Sequence, residues 1–236
     1  MTTAGKTIQW KDDRELFAMA RRELFSAVIG DSMDKMRLFH QFLPPSIRPL
    51  HPESLLVGRA MPVLAMDVFE ESISNSSNGL SEQPFGLMLN ALDDLKENEV
   101  YLNTGASPRS ALWGELMSTR ARALGAAGAV LNGYIRDTRA VLKMGFPAFC
   151  WGSFGQDSGP RYKVMDFRIP VEIGAVRVEP GDIVFGDIDG VCIVPERAVR
   201  EVFTRALEKV RGESQVRKAL ADGVSAVEAF RQYGVM

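Results

Sequence analysis

The feature that most constrains the fold of this 236-residue chain is a change in patterning near residue 160. Between residues 84 and 151, segments with helical spacing of apolar residues alternate with short extended apolar runs. Such alternation is typical of βαβ units around a partly parallel sheet. Residues 162–194 are instead rich in Val and Ile, with turn signals at Glu179-Pro180-Gly181 and Asp189-Gly190. Because these signals favour β-hairpins, the pattern predicts an α/β fold with a mixed sheet.

The same pattern gives approximate bounds for the elements. Helices are predicted over residues 12–43, 84–95, 114–124, 137–143, 196–221 and 224–233. Strands are predicted over 99–103, 127–131, 147–151 and 55–66, the last interrupted by Gly58 and Pro62. The polar stretch 70–83 is either a mobile loop beside a site or a plain surface loop. We interpret residues 1–236 as a single domain, with a helical segment within 1–50 and C-terminal helices within 196–236.

Composition excludes several classes of protein. The formal net charge is -2 and the 28 basic residues are scattered, so we expect no nucleic-acid surface. The longest apolar runs are too short to cross a bilayer, and residues 1–13 lack the apolar stretch of a signal peptide. Cys150 and Cys192 each lie in an apolar, strand-like stretch and are interpreted as buried thiols in a reducing compartment. We therefore expect a cytoplasmic protein.

Missing motifs narrow the chemistry further. The chain has no G-x-S-x-G motif and no glycine-rich loop of the kinds that bind nucleotide phosphates. His40 and His51, with the two cysteines, do not readily build a zinc site. Any metal would therefore be held by carboxylates and water, which favours Mg²⁺ or Mn²⁺.

The segment from residue 111 to residue 137 carries the chemistry. Gly114 opens a predicted helix, and the free N–H groups of a helix start suit a substrate carboxylate. Arg136-Asp137 follows just after the predicted strand 127–131, where sites of α/β sheets collect. On the residues alone, a simple turn with a solvated ion pair explains Arg136-Asp137 at least as well as a site does.

The pattern of an acidic residue at a helix start, followed by Gly-x-x-Arg-Asp, resembles the family of 4-hydroxy-4-methyl-2-oxoglutarate aldolases. That RraA-like family also includes regulators of ribonuclease E activity. The resemblance extends over most of residues 25–235, through the landmarks Gly30-Asp31-Ser32-Met33-Asp34, Ile47-Arg48-Pro49-Leu50, Val57-Gly58-Arg59-Ala60, Gly181-Asp182-Ile183-Val184 and Asp187-x-Asp189-Gly190-Val191. The aldolase signature is Gly-x-x-x-Asp, twenty residues, then Arg-Asp. Here Ala111 and Glu115 occupy its first two named positions, so the resemblance does not extend to substrate preference.

The resemblance implies a layered α/β/β/α fold like the swivelling domain of phosphotransfer enzymes. It also implies a homotrimer or homohexamer with sites between subunits. For the metal, Mg²⁺ or Mn²⁺, it implies direct ligation by Asp137. Glu115 and a Glu213 contributed by a neighbouring subunit would hold metal-bound waters.

For the substrate, a small 2-oxo acid, the resemblance implies binding at the helix start. Gly114 opens that start, and the backbone N–H groups of Leu116 and Met117 would bind the carboxylate. Arg136 would face the 2-oxo oxygen, where enolate charge develops. The implied activity is a class II lyase reaction, either retro-aldol cleavage or decarboxylation of the oxaloacetate type, through pyruvate enolate.

Four alternatives stay open beside this lyase. Lys143, among apolar residues, is a candidate Schiff-base lysine, although a helix-end lysine reaching to water is the more frequent case. Asp187 and Asp189 are candidate metal ligands, but Asp189-Gly190 favours a hairpin turn. The third alternative is a non-catalytic regulator that binds a ribonuclease or helicase through its surface, as one branch of the family does. A methyltransferase is disfavoured because no glycine-rich strand-to-helix turn is present.

Overall fold

The computed structural model describes residues 8–69, 77 and 79–234. The predicted loop 70–83 therefore lies largely outside the described residues, although Gly79–Glu82 form a 3₁₀ turn. The helices of the described part are α1 (Asp13–Glu23), α2 (Ser26–Lys35), α3 (Met88–Asp93), α4 (Glu115–Ala123), α5 (Thr138–Met144), α6 (Val199–Ala221) and α7 (Ala226–Tyr233). Its strands are β1 (Arg48–Pro49), β2 (Leu56–Asp67), β3 (Glu99–Thr104), β4 (Ala111–Trp113), β5 (Gly128–Leu131), β6 (Tyr134–Ile135), β7 (Ala148–Cys150), β8 (Tyr162–Phe167), β9 (Val171–Ile173), β10 (Val176–Val178), β11 (Ile183–Asp187) and β12 (Gly190–Val194).

The N-terminal region forms two helices, so the single helical segment predicted over 12–43 was wrong. Leu24 and Phe25, between α1 and α2, are both extended. Ser26 then donates from its backbone N–H and its hydroxyl to the two carboxylate oxygens of Asp187, at 2.6 and 2.7 Å. Because Asp187 lies 161 positions away, the break comes from a tertiary contact that local spacing does not encode.

Eight strands form one mixed sheet, in the order β1-β7-β5-β3-β2-β11-β12, with β8 also paired to β2. The four central strands β2, β3, β5 and β7 run parallel, as the alternating pattern predicts. The two ends of the sheet approach each other, because the Arg48 guanidinium on β1 donates to the carbonyls of Ile188 and Asp189 between β11 and β12. The result is a nearly closed sheet.

Strand β2 changes partners along one edge, and Pro62 lies at the change. That edge pairs with β11 as far as Arg59 and with β8 from Val63 onward. The Ala60 N–H points to the β11 side, where it donates to the Asp182 carbonyl at 2.7 Å. Pro62, two residues later, faces the same side, so its missing N–H falls in the gap between the two partners.

Apolar side chains pack in three clusters that define the layers. Helices α1, α2 and α6 cover one side of β11 and β12, around residues such as Phe17, Ile29, Phe185 and Phe203. Helices α3, α4 and α5 cover the strands β3 and β5 on the other side. Between the two strand layers, Leu102, Phe149, Ile173 and Ile193 fill the interior of the sheet. This arrangement confirms the predicted layered α/β/β/α fold, and its second layer of helices places α4 beside the site.

The predicted hairpins and C-terminal helices are also present. β9 pairs with β10, and β11 pairs with β12 through the Asp189-Gly190 turn. A 3₁₀ turn, Glu196–Ala198, leads into α6, and α7 packs against α6. Within the described ranges, none of the helices combines the length and apolar character that a bilayer crossing requires.

Candidate functional site

Two short parallel strands, β4 and β6, join the two halves of the predicted site. Their register pairs Ala111 with Tyr134 and Trp113 with Ile135. The Arg136 N–H continues the ladder by donating to the Trp113 carbonyl at 3.0 Å. Because parallel strands end at the same edge, the start of α4 meets the Arg-Asp pair that follows β6.

The Asp137 carboxylate lies against the N-terminus of α4 and leaves its own helix, α5, without a side-chain cap. Asp137 has a left-handed backbone, φ 56°, a conformation that Asp adopts more readily than most residues. Its Oδ2 accepts a hydrogen bond from the Glu115 N–H at 3.2 Å. A Cβ added at Gly114 would lie 2.8 Å from this oxygen, so a side chain there would displace the carboxylate.

The Arg136 guanidinium bridges two carboxylates. Its Nη1 donates to Asp157 Oδ1 at 2.5 Å, and its Nε lies 3.8 Å from Asp137 Oδ2. Asp157 Oδ2 accepts from the Gly159 N–H at 3.1 Å, which fixes the carboxylate beside the arginine. All three charged side chains are between 40% and 50% exposed, so they remain open to a ligand.

Asp157 was missed by the sequence reasoning. The local signal was weak, since Asp157 lies in a Gly- and Ser-rich stretch between β7 and β8 with no periodic pattern. Asp157 is placed at the site because its segment pairs with β4 and β6. The Ala111 N–H donates to the Gln156 carbonyl at 2.9 Å, and Ser153 bridges to Ile135 in parallel register.

Buried polar groups fix the turn from β4 into α4. The Trp113 indole N–H donates to Ser118 Oγ at 2.7 Å, and that hydroxyl donates to the Gly114 carbonyl at 3.0 Å. The Tyr162 hydroxyl donates to the Leu112 carbonyl at 3.2 Å. Burial raises the pKa of Tyr162, so this hydroxyl stays a neutral donor over the working pH range. The start of α4 is therefore held rigidly before any ligand binds.

These residues surround a cavity of about 250 Å³ between α3 and α4. Its polar end is formed by Gly114, Arg136, Asp137 and Asp157. Ser158, next to Asp157, also lines it, and the rest of its wall is apolar. The main apolar contributors are Phe85, Met88, Leu89, Leu92, Leu116 and Met117.

The three residues that open α4 have different surroundings. Leu116 and Met117 line the cavity, and N–H groups in the first turn of a helix have no intrahelical acceptor. Glu115 places its backbone N–H on Asp137, but its carboxylate Oε1 accepts from Thr119 on the exposed side of the same helix, at 3.2 Å. The predicted site residues 114, 116, 117, 136 and 137 thus meet at one cavity, and the Glu115 side chain flanks it.

The remaining predicted candidates lie elsewhere in this chain. Glu213 is on α6, 3.6 Å from Lys209, and its predicted role in a neighbouring subunit stays a prediction. Lys143 is exposed on α5, in agreement with a lysine that reaches to water. Asp187 accepts from Ser26 and from the Asp189 N–H, so the hairpin interpretation of this pair is confirmed.

The donor set at the cavity suits a hard cation with few protein ligands. Across residues 8–69, 77 and 79–234, no three His, Cys, Asp or Glu side chains are grouped so as to hold a metal ion. Magnesium, however, commonly binds one or two carboxylates and keeps several waters. Asp137 offers one such carboxylate, half exposed and with one oxygen already oriented by α4. One arginine against two carboxylates also leaves excess negative charge at the cavity, which favours a cation.

A larger cavity, about 380 Å³, lies near the turn before β11. Its buried acid is Asp182, whose oxygens accept from the N–H groups of Glu179 and Glu196, both at 2.9 Å. Burial raises the pKa of Asp182. Because both oxygens accept from backbone donors, this carboxylate holds the turn before β11.

Comparisons with known proteins show which proteins this chain is similar to. A protein of Halalkalibacterium halodurans named "Putative 4-hydroxy-4-methyl-2-oxoglutarate aldolase" is 27% identical over 210 residues, which cover 89% of this chain and 90% of that protein. Protein DlpA of Legionella pneumophila is 24% identical over 210 residues. That match covers 88% of this chain but 32% of DlpA, so the chain spans about a third of that relative's length.

The fold is shared with a solved structure, that of Streptomyces coelicolor RraAS2, described as an unusual member of the RNase ES inhibitor RraA protein family. The TM-score is 0.74 at 23% identity, covering 89% of this chain and 99% of that one. The family model described as RraA-like, Aldolase/RraA, matches residues 26–193 and so includes both strands that build the site. With that match over more than half of its length, the chain belongs to the RraA-like aldolase/RraA family.

Proposed function

We propose that this protein is a divalent-metal-dependent lyase that cleaves or decarboxylates a small 2-oxo acid through pyruvate enolate. One observation carries the proposal. The Arg136 guanidinium and the half-exposed Asp137 carboxylate meet at the N-terminus of α4, at the mouth of one cavity. The aldolase name of the Halalkalibacterium halodurans relative supports the same reaction class.

The start of α4 would bind the substrate carboxylate. The N–H groups of Leu116 and Met117 lie in the first helical turn, where the helix dipole also favours an anion. Gly114 keeps this end of the helix open, because it adds no side chain between β4 and the cavity. The substrate would then lie with its 2-oxo oxygen toward Arg136.

The charges at the site support a metal requirement. Arg136 faces two carboxylates, Asp137 and Asp157, so an anionic substrate adds to an excess of negative charge. Mg²⁺ or Mn²⁺ would be ligated directly by Asp137, with Glu115 and a Glu213 from a neighbouring subunit holding its waters. A bound cation supplies Lewis-acid polarisation of the 2-oxo group.

Arg136 would stabilise the charge that develops during bond cleavage. In the retro-aldol reaction of a 4-hydroxy-2-oxo acid, the C3–C4 bond breaks and its electron pair forms the enolate of pyruvate. The 4-hydroxyl proton leaves to water, and C4 departs as a carbonyl compound. Protonation of the enolate at C3 then gives pyruvate.

In β-decarboxylation, CO₂ leaves instead and the same enolate forms. In both cases the Arg136 guanidinium would donate to the enolate oxygen.

Deuterium exchange at the methyl group of pyruvate tests enolate formation directly, because it needs no particular leaving group. Proton NMR in D₂O with Mg²⁺ should show exchange by the wild-type protein and none after a chelator is added. Arg136→Ala should lower the exchange rate by roughly a hundredfold or more, since oxyanion donors contribute that much to a rate. For any 2-oxo acid that the protein cleaves, pyruvate release should show the same dependence on Mg²⁺ and on Arg136, and oxaloacetate and 4-hydroxy-4-methyl-2-oxoglutarate are the first two to assay.

Arg139→Ala is the matched control. Arg139 is exposed on α5 and loses the same charge only three residues away, so exchange should stay at the wild-type rate. Full exchange by Arg136→Ala would contradict the role of this arginine. The absence of metal-dependent exchange by the wild-type protein would contradict the lyase and favour the regulator, the other function known in the family.

A further inference from the structure

The wall opposite the charged end of the α4 cavity is strongly apolar. Two exposed leucines stand at its mouth: Leu89 on α3 is 55% exposed and Leu116 on α4 is 78% exposed. Further side chains continue the wall inward. They are Phe85, Met88, Leu92 and Met117. Large apolar side chains exposed around a concave site mark a ligand-binding surface.

The charges of the cavity are confined to its other end. Among the described residues of one chain that line it, Arg136 is the only cation, and its Nη1 is already 2.5 Å from Asp157 Oδ1. The backbone N–H groups at the start of α4 provide for one further anion. A second carboxylate, at the far end of a substrate, would meet leucine and methionine side chains without a counter-charge.

We infer that the substrate has an apolar far end: a 4-hydroxy-2-oxo acid that carries an alkyl or aryl group at C4, in place of a second carboxylate. This inference rests on the proposed lyase function for the reacting end of the molecule. The C3–C4 bond breaks as described above, so the products are pyruvate and an apolar aldehyde or ketone. The apolar product leaves along the wall formed by α3 and α4.

Non-reacting ligands of matched shape separate the two substrate classes. 5-Methyl-2-oxohexanoate and 2-oxoglutarate share the 2-oxo acid end, and an isopropyl group replaces the distal carboxylate. Isothermal titration calorimetry in the presence of Mg²⁺ should show 5-methyl-2-oxohexanoate binding at least tenfold more tightly than pyruvate. The reason is that each methylene in an apolar pocket contributes roughly tenfold or more to affinity. 2-Oxoglutarate should bind no more tightly than pyruvate.

Leu116→Lys tests the wall itself, because it places a cation there and keeps the backbone N–H. The ratio of the two affinities should shift toward 2-oxoglutarate by at least tenfold. Val227→Lys, at a residue 70% exposed on α7, makes a similar change far from the cavity and should leave the ratio unchanged. Circular dichroism verifies that both variants are folded.

The outcomes separate this inference from the lyase proposal. Equal affinities for the two ligands, or a ratio that Leu116→Lys leaves unchanged, would overturn the apolar substrate class and point to a wall covered by another copy of the chain. Deuterium exchange of pyruvate together with equal affinities for the two ligands would support the lyase and overturn the apolar substrate class. A clear apolar preference without exchange would keep the ligand class and overturn the lyase.

Discussion

Gly114 is the residue on which the position of the Asp137 carboxylate depends most directly. Its φ of -156° is extended, a conformation open to any residue, so glycine is not needed for the backbone. It is needed for space, because a Cβ would lie 2.8 Å from Asp137 Oδ2 and 3.4 Å from Arg136 Cγ. One absent methyl group thus lets both charged residues lie against α4.

We expect Gly114→Ala to lower the rate of metal-dependent pyruvate exchange by roughly a hundredfold, since displacement of a reacting group by about 1 Å costs that much. The melting temperature should change little, because the backbone stays allowed. Gly155→Ala is the control, since a Cβ there meets no atom within 4 Å. Equal losses in the two variants would contradict the steric argument.

Single residues also show where sequence reasoning stopped. Arg136 and Asp137 were found because a motif of fixed spacing marks them. Asp157 has no such spacing and reaches Arg136 only through the pairing of its segment with β4 and β6. A partner 21 positions away in an irregular segment leaves no periodic signal to detect.

At the scale of elements, Arg168 ties the end of β8 to the connection between α3 and β3. Its guanidinium donates to Glu99 at 2.7 and 2.8 Å and forms a close ion pair with Asp94. Hydrogen bonding from Arg168 lowers the pKa of Asp94. The pKa of Arg168 is raised, first by its hydrogen bonds to Glu99 and then by that to Asp94. A depressed carboxylate pKa stabilises the fold above the unfolded-state value and ceases to do so as pH falls through the folded-state value.

Asp94→Asn should therefore lower the melting temperature at pH 7, and its difference from the wild type should narrow below about pH 4, where the unfolded carboxyl protonates. The difference in melting temperature between Arg168→Met and the wild type should narrow over the same pH range, although this variant retains Asp94. Melting curves between pH 3 and pH 7 measure both. A difference for Asp94→Asn that persists undiminished at pH 3 would contradict the assigned ion pair.

Elements with sustained periodicity were predictable, but the two short strands at the site were not. The strands β2, β3 and β5 and the helix α4 lie within about two residues of their predicted bounds, because their apolar patterns are local. The strands β4 and β6 have three and two residues, too few to show alternation. The break between α1 and α2 was missed because helical spacing continues through Leu24, Ala27 and Val28.

For the whole molecule, the nearly closed sheet places the fully buried ring of Phe149 between the two strand layers. Phe149 is fully buried, and a Cβ at Gly186 on β11 would come within 2.9 Å of the ring. The interior is thus filled across the space between β7 and β11, and the opposite strands support each other through it.

Phe149→Ala should cost roughly 3–5 kcal/mol in the free energy of unfolding, because it leaves a cavity that the closed sheet cannot collapse around. Urea denaturation followed by tryptophan fluorescence measures the change. Phe39→Ala, at a residue 63% exposed, should cost far less. A similar cost for both substitutions would mean that the interior ring does not support the sheet.

Strands β4 and β6 pair with each other and stand apart from the eight-stranded sheet. The segments 111–117, 134–137 and the one that ends at Asp157 are instead paired with one another. In a chimera between two relatives, grafting one of these segments alone would mismatch its partners. Grafting the three segments together would transfer the charged part of the site as one unit onto another protein of the same fold.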